Sequence, residues 1–235
     1  MEASTTVRAE EFARQYAETP STRFDSGISR PATTEDLALF RRDGCDGERR
    51  HQSQMQQARR KARQAWNACS DLKLLASRLG IAKVEAVLTP SEESEELGHY
   101  TPPSYVWGST FTGKVNPAIQ VNVLSAHLFG HVDDCVPGVL AHEIGHHIDV
   151  LAYGWHSNGE PNSEFVAAFD RAGFWAAPAT HCELIAETLG NYLRGHELND
   201  VLLAEVGKVL DKLPRKHAKI VSQFRRNQEG QSLDS

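Results

Sequence analysis

The sequence predicts a mixed α+β fold, in which one long helix is followed by a small sheet and then mostly by helices. Residues 48–79 are rich in helix-forming residues, with apolar side chains three and four positions apart. β-Branched and aromatic residues then concentrate in short stretches between 81 and 126. From residue 134 onward, apolar residues return to helical spacing, between connections that contain Gly, Asn and Pro.

The composition is that of a single domain with one apolar core. Of the 235 residues, 40% are hydrophobic and 24% are charged. The formal net charge of −6 disfavours a protein that binds nucleic acid, because such proteins usually present a basic surface to the phosphates. The four cysteines are widely spaced and form no CxxC pair, which predicts a chain that folds without disulfides.

Two further features of the sequence bear on the cellular location of the protein. No apolar run is long enough to span a bilayer, and the N-terminus lacks the apolar core of a Sec-type signal peptide. We therefore expect no membrane partner, and a protein that is cytoplasmic or exported without a Sec-type signal.

The N-terminal part divides into an arm and a helix. Residues 1–47 are rich in Ser, Thr, Glu, Arg and Gly, which predicts a disordered arm with a short helix near 8–18. The domain itself would cover 48–235 and begin with a helix over 48–80 that ends at its final glycine. The basic run of this helix, over 59–63, predicts either a solvated face or a contact with an acidic partner.

Residues 81–126 form the predicted sheet region. IAKVEAVLTP (81–90) predicts a strand that its proline ends, and 91–103 predicts a polar, acidic loop. Further strands are predicted over 104–113 and 117–126. In the last strand, apolar residues would face the core and polar residues the opposite side: Ile119, Val121 and Val123 against Gln120 and Asn122.

The rest of the chain predicts helices. A central helix should cover 134–153, with Gly154 just beyond its last apolar turn. A connection containing Gly, Asn and Pro follows. The C-terminal helices, which extend to about residue 227, are expected over 163–173, 179–194 and 197–227, the last broken at Pro214.

The central helix contains GVLAHEIGHHIDV (138–150), a pattern that predicts a metal site. His142 and His146 are four residues apart, so on a helix both imidazoles lie on one face and can bind one ion. Glu143 projects beside them and can take a proton from a water molecule. This is the H-E-x-x-H signature of zinc peptidases, in which three protein ligands and one water bind Zn²⁺. His147 points off this face and is expected to be structural or solvent-facing.

A second helix supplies candidates for the third ligand. THCELIAETLGNYL (180–193) places Glu183 and Glu187 four residues apart on an otherwise apolar helix. Two such carboxylates repel one another unless a cation or a hydrogen-bond donor lies between them. One acid would therefore bind the metal while the other accepts a hydrogen bond from a ligand histidine. The spacing alone does not rank the two.

The sequence HEIGHHID followed by ELIAE resembles the catalytic domain of anthrax lethal factor and the related Pro-Pro endopeptidases, which are gluzincin-type zinc proteases. Their pattern is HExGHxxD and then ExxAE. The resemblance implies a zincin-like fold, with Zn²⁺ bound by His142, His146 and Glu183. It also implies that Glu143 is the general base and acid, and that Glu187 supports a ligand histidine.

This resemblance covers about residues 115–195 at the level of motifs, and it has one departure. The family commonly has a tyrosine seven positions before the glutamate ligand, where its hydroxyl stabilises the oxyanion. Here that position is Ala176. His181 is our first candidate for the missing donor; the other candidates are Tyr153, His156 and Tyr192.

The strand ahead of the central helix gains a role from the same resemblance. In zinc peptidases of this architecture, an edge strand pairs with the backbone of an extended substrate. We therefore expect Ile119, Gln120, Val121 and Asn122 to bind substrate; the alternative is an ordinary strand within the sheet.

Together these patterns predict a zinc-dependent endopeptidase that hydrolyses peptide bonds in a protein or peptide partner. The alternative, which the missing tyrosine favours, is a catalytically weak or inactive protein of zincin fold that acts as a protein-binding module.

Overall fold

The computed structural model describes residues in six ranges, which are 45–87, 97–107, 112–129, 135–154, 160–174 and 180–232. These ranges form a mixed α+β structure that is mostly helical, with one three-stranded sheet. The predicted fold class is therefore confirmed at the α+β level. The predicted N-terminal arm lies outside the described residues, except for its last three positions, which belong to the first helix.

The N-terminal helical region consists of two helices, α1 (Cys45–Ala68) and α2 (Ser70–Leu79). The prediction of one continuous helix is wrong at Cys69, where the backbone leaves helical geometry. At this break the Trp66 carbonyl accepts hydrogen bonds from the Cys69 amide and from the Lys73 ammonium, the latter at 2.8 Å. A side chain thus satisfies a carbonyl that the helix end exposes. α2 ends, as predicted, at a glycine in the left-handed conformation.

The described residues that follow form five short strands, and three of these make up the main sheet. Its members are β1 (Lys83–Val87), β2 (Gly98–Thr101) and β5 (Ala118–Asn122). β5 lies in the centre, parallel to β1 and antiparallel to β2. A separate antiparallel pair is formed by β3 (Ser104–Trp107) and β4 (Thr112–Val115).

The central position of β5 contradicts the prediction that Ile119, Gln120, Val121 and Asn122 form an edge strand. Both sides of β5 pair with neighbouring strands, so its backbone is engaged within the sheet. Among the described residues, it is β2 that lies on the sheet edge towards the central helix. This strand falls inside the stretch for which the sequence predicts a polar loop.

The end of β5 also differs from the prediction. Ile119 and Val121 are buried and Gln120 is exposed, as the alternation predicts. Asn122, expected on the exposed side, is buried, because its side-chain oxygen accepts a hydrogen bond of 3.1 Å from the Ser125 amide. It thereby caps the short helix α3 (Val123–Phe129), so Val123 is buried in a helix rather than in a strand.

The remaining described elements are five helices, and the predicted break at Pro214 is confirmed. The helices are α4 (Cys135–Tyr153), α5 (Ser163–Ala172), α6 (His181–Leu193), α7 (Asp200–Lys212) and α8 (Arg215–Ser232). α4 lies at the centre and is buried along most of its length, with α6 against one side and the sheet against another. None of the described helices combines the length and apolarity that a bilayer crossing requires.

Small residues bring α4 and α6 into backbone contact. A Cβ added at Gly145 would lie 2.9 Å from the Cα of Ala186, and one added at Gly190 would lie 3.0 Å from the amide nitrogen of His142. These pairs show that the two helices run in opposite directions, with almost no side chain between their axes at the crossing. The polar residues of α6 therefore lie directly opposite those of α4.

We expect Gly145→Ala to lower the free energy of unfolding by about 1–3 kcal/mol, because the new methyl group would overlap the Ala186 backbone. Gly207→Ala, in α7, is the matched control. Open space surrounds that position, so alanine should raise the free energy of unfolding by about 0.5–1 kcal/mol through helix propensity. Urea unfolding in the presence of a chelator measures both without a contribution from bound metal. Equal changes in the two variants would contradict the close helix contact.

Candidate metal centre

α4 and α6 bring two histidines and one glutamate into a buried cluster. His142 and His146 come from successive turns of α4, and Glu183 comes from the first turn of α6. One ligand atom from each of the three lies within 4.8 Å of the others, and all three side chains are buried. These are the residues that the sequence pattern, together with the family resemblance, predicts as metal ligands.

The distances between the donor atoms fit a single ion. His142 Nε2 lies 3.1 Å from Glu183 Oε2, and His146 Nε2 lies 3.5 Å from Glu183 Oε1. Donors that bind one tetrahedral ion at about 2.0–2.1 Å are about 3.4 Å apart. The cluster could therefore hold a metal ion with little rearrangement.

Glu187 lies behind the cluster, on the other side of the His142 ring. Its Oε2 is 2.9 Å from His142 Nδ1, and its Oε1 accepts a hydrogen bond of 2.7 Å from the Asn191 amide. In the neutral ring that a metal requires, a hydrogen bond donated by Nδ1 would leave Nε2, which faces Glu183, free of a proton. Glu187 thus has the contacts of a residue that orients a ligand histidine.

The close approach of imidazoles and carboxylates shifts the pKa of both kinds of group. Burial lowers the pKa of His142, but its hydrogen bonds to Glu183 and Glu187 outweigh this effect and raise the pKa well above its usual value. Burial raises the pKa of Glu183, and the neighbouring His142 and His146 reverse that shift and hold the pKa well below its usual range. Without an ion, the site therefore favours an ionised Glu183 beside a protonated His142. A metal ion would take the place of the proton on the ring nitrogen that faces Glu183, because only the neutral imidazole binds metal.

Glu143 lies between strand β2 and the cluster of His142, His146 and Glu183. Its side chain is buried, and a Cβ added at Gly98 would lie 2.5 Å from its Oε1. The same Cβ would lie 2.6 Å from a methyl group of Val139. Glycine at position 98 therefore lets the edge strand approach the carboxylate, so that main chain forms the wall opposite Glu143.

The sequence did not point to Tyr100, which lies on β2 and contacts two histidines of α4. Its ring is nearly parallel to that of His146, with 6.5 Å between the ring centroids. Its hydroxyl oxygen lies 2.8 Å from His147 Nδ1. His147 Nε2 in turn donates to the Leu79 carbonyl at 3.2 Å. The only local signal is the aromatic residue in GHYT, which is too short and too close to two prolines to predict a strand.

These contacts fix the proton positions in the Tyr100–His147 pair. Burial, followed by the charge of Asp149, raises the pKa of Tyr100, so the hydroxyl keeps its proton. Burial lowers the pKa of His147 to about 4, which makes its ring neutral near pH 7. Since Nε2 donates to Leu79, Nδ1 must accept the hydrogen bond from Tyr100. His147 is therefore structural, as predicted, and buried rather than solvent-facing.

His181, the first candidate for an oxyanion donor, lies on a different side of α6. It is two residues before Glu183, a spacing that directs side chains to opposite sides of a helix. Its ring packs edge-on against Phe165, with 6.2 Å between the ring centroids. Burial lowers the pKa of His181, and the Glu205 carboxylate partly offsets this shift. This placement does not support a role in oxyanion binding.

Of the other candidates for that role, Tyr153 and Tyr192 lie within the described residues. The Lys212 ammonium lies 4.3 Å from the ring of Tyr153, and the Arg225 guanidinium lies 5.1 Å from the ring of Tyr192. Both rings thus contact the C-terminal helices. His156 and Ala176 lie outside the described residues.

Comparison of this chain with protein-family models, with curated proteins and with solved structures finds no match. The functional argument therefore depends on the residues of the site themselves.

We expect the purified protein to bind about one Zn²⁺ per chain, measured by elemental analysis after dialysis against a small excess of the ion. His142→Ala should reduce the bound metal to background, because it removes one of the three proposed ligands and leaves only His146 beside Glu183. His196→Ala, which changes an exposed histidine beyond the end of α6, should keep the full amount. Retention of one ion by His142→Ala would contradict the site.

The two acids of α6 should differ in their effect on the metal. Glu183→Gln removes the charged oxygens that lie nearest both imidazoles and should weaken Zn²⁺ binding by more than about 100-fold. Glu187→Gln keeps an acceptor for His142 Nδ1 and should weaken binding by about 10-fold. Competition with a chromogenic chelator measures both affinities. The opposite order would exchange the roles of the two residues.

Proposed function

We propose that this protein is a zinc-dependent endopeptidase of zincin-like fold, which hydrolyses peptide bonds in a protein or peptide substrate. The observation that carries the proposal is the buried His142, His146 and Glu183 cluster with the Glu143 carboxylate beside it. A metal site that only stabilised the fold would have no need of a buried acid between the ligands and a sheet edge.

Zinc is the metal that fits this donor set best. Two imidazoles and one carboxylate make up the protein ligands of many catalytic zinc sites, in which the fourth position is left for water or substrate. His142, His146 and Glu183 would hold the ion. When bound, Zn²⁺ lowers the pKa of a water molecule from about 15.7 towards neutrality and polarises a carbonyl group.

Glu143 would act as general base and then as general acid. Its carboxylate takes a proton from the attacking water at Oε1 or Oε2 and delivers one to the nitrogen of the departing amine. The close approach of Gly98 restricts the position of the carboxylate, so that little reorganisation would be needed during the reaction. A proton transfer of this kind contributes about 10²–10⁴-fold to the rate.

Glu187 would act by orienting His142. Its bond to Nδ1, strengthened by the bond from Asn191 to its other oxygen, fixes both the tautomer and the plane of the imidazole. The role is one of positioning, because the Glu187 carboxylate faces the far side of the ring.

Strand β2 would bind the substrate backbone, in place of the strand that the sequence predicts. Among the described residues, no strand pairs with its outer edge, so an extended peptide can add to the sheet by main-chain hydrogen bonds. The approach of Gly98 to Glu143 places this edge next to the proposed base. A peptide bound there would present its carbonyl groups close to the metal cluster.

Glu143→Gln should keep the metal and lose hydrolysis, because glutamine preserves the shape of the side chain but cannot take the proton. We expect a loss of at least about 100-fold in turnover of an unfolded protein substrate, measured as new N-termini by mass spectrometry. Glu197→Gln, a change of the same chemistry at an exposed position, is the control and should retain full activity.

Unchanged turnover in Glu143→Gln would exclude this mechanism. A wild-type protein that binds zinc but yields no new termini in the presence of the metal would instead support the alternative function, a zincin-fold protein that binds another protein.

A further inference from the structure

Two consecutive histidines of α4 face different neighbours, and only the first has a part in the proposed mechanism. His146 belongs to the metal cluster and lies beside Glu183 of α6. His147 lies about 100° further around the helix and contacts strand β2. Both rings are buried, and an apolar side chain could fill the space of His147 without needing hydrogen bonds. The bonds that His147 makes therefore indicate its role.

His147 connects two other elements of the fold. Its Nε2 donates a hydrogen bond of 3.2 Å to the carbonyl of Leu79, the last residue of α2. Its Nδ1 accepts a hydrogen bond of 2.8 Å from the Tyr100 hydroxyl on β2. Because the carbonyls at the end of a helix lack partners within that helix, the first bond satisfies one of them. His147 thus links β2 to α4, while the end of α2 holds its ring in place.

The side of α4 that faces β2 is a stripe of residues at four-residue spacing, Val139, Glu143 and His147. Gly98 approaches the first two, and Tyr100, two positions later in the strand, reaches the third. Two strand residues advance by about 6.6 Å and four helical residues by about 6 Å, so the contacts lie at matching heights. β2 therefore runs along α4 in the same direction.

The two contacts between β2 and this stripe differ in how well they define the position of the strand. The contact at Gly98 brings β2 close to Glu143, but glycine has no side chain that could interlock with its neighbours. The Tyr100–His147 bond is directional, because a hydrogen bond weakens steeply when donor and acceptor move out of line. It is also costly to break, since both groups are buried and each would lose a partner.

We propose that Tyr100 and His147 are positioning residues for substrate binding. Their hydrogen bond holds β2 at the height where its outer edge lies beside Glu143. This proposal rests on the proposed peptidase function, in which β2 binds the substrate backbone. A strand that shifted along α4 or away from it would no longer present the peptide next to the base.

Loss of this bond should change KM rather than kcat. Without it, β2 would occupy its binding position for only part of the time, and the apparent affinity for substrate falls in proportion to that fraction. Substrate that does bind would still meet the same base and the same metal ligands, because the contact between α4 and α6 does not involve β2. Zinc affinity should therefore also stay close to its wild-type value.

Tyr100→Phe tests the bond itself, because phenylalanine keeps the ring beside His146 and removes only the hydroxyl. With a fluorogenic peptide that contains a cleavage site mapped in an unfolded protein substrate, KM should rise at least about fivefold and kcat should change less than about twofold. Thr188→Val is the matched control, since it also removes one buried hydroxyl donor, but one that bonds within α6. Its KM should equal that of the wild type. An unchanged KM in Tyr100→Phe would overturn the proposal.

Variants of His147 separate hydrogen bonding from packing. His147→Gln keeps one donor and one acceptor and should hold KM within about twofold of the wild type, whereas His147→Leu removes both and should raise KM as much as Tyr100→Phe does. Combining Tyr100→Phe with His147→Leu should raise KM no further, because the two residues act through one bond. Additive increases, or equal KM values for the glutamine and leucine variants, would overturn the proposal.

Amide hydrogen exchange, measured by mass spectrometry, tests the link between β2 and α4 without catalysis. In the metal-free protein, Tyr100→Phe should speed exchange in β2 at least about tenfold and leave β1, on the far side of β5, unchanged. Unchanged exchange in β2 would overturn the proposal even in an active enzyme. If the wild-type protein hydrolyses nothing but β2 exchanges faster in the variant, the peptidase function alone is refuted and the link that positions the strand stands.

Discussion

The close contact between α4 and α6 determines the geometry of the candidate metal centre. Gly145 lies against Ala186, and Gly190 lies against the His142 backbone. The two helices are therefore so close that the side chains between them contact one another directly. Those side chains are polar, and burying them costs free energy unless each finds a partner. The imidazoles of α4 and the carboxylates of α6 meet that requirement for one another, and a divalent cation would complete it.

The same contact links the fold to the chemistry that we propose. A helix on its own can offer two imidazoles from one face, but the third ligand must come from another element at a fixed distance. Here that distance is set by backbone against backbone rather than by the packing of long, flexible side chains. The donor atoms are therefore preorganised, which is a property that catalytic metal sites need and that flexible surface sites lack.

Local features of this protein could be predicted from the sequence, whereas features that depend on distant pairing could not. The spacing of His142 and His146 is a property of any helix, and the break at Pro214 follows from a missing amide. The central position of β5 depends on strands remote in sequence, and no pattern within 117–126 encodes it. The spacing of Glu183 and Glu187 does not rank them; apart from the family resemblance, only the contacts in three dimensions do so, with Glu183 beside both imidazoles and Glu187 behind one of them.

Gly98 would limit how the proposed peptidase could change its substrate preference. Because main chain lies opposite Glu143, a substrate at this wall would meet amide and carbonyl groups, which stay the same whatever the neighbouring side chains are. A side chain at position 98 would overlap Glu143 and Val139 unless they moved. New substrate preferences would therefore arise from changes at other positions along the strand or opposite it, while position 98 remains glycine.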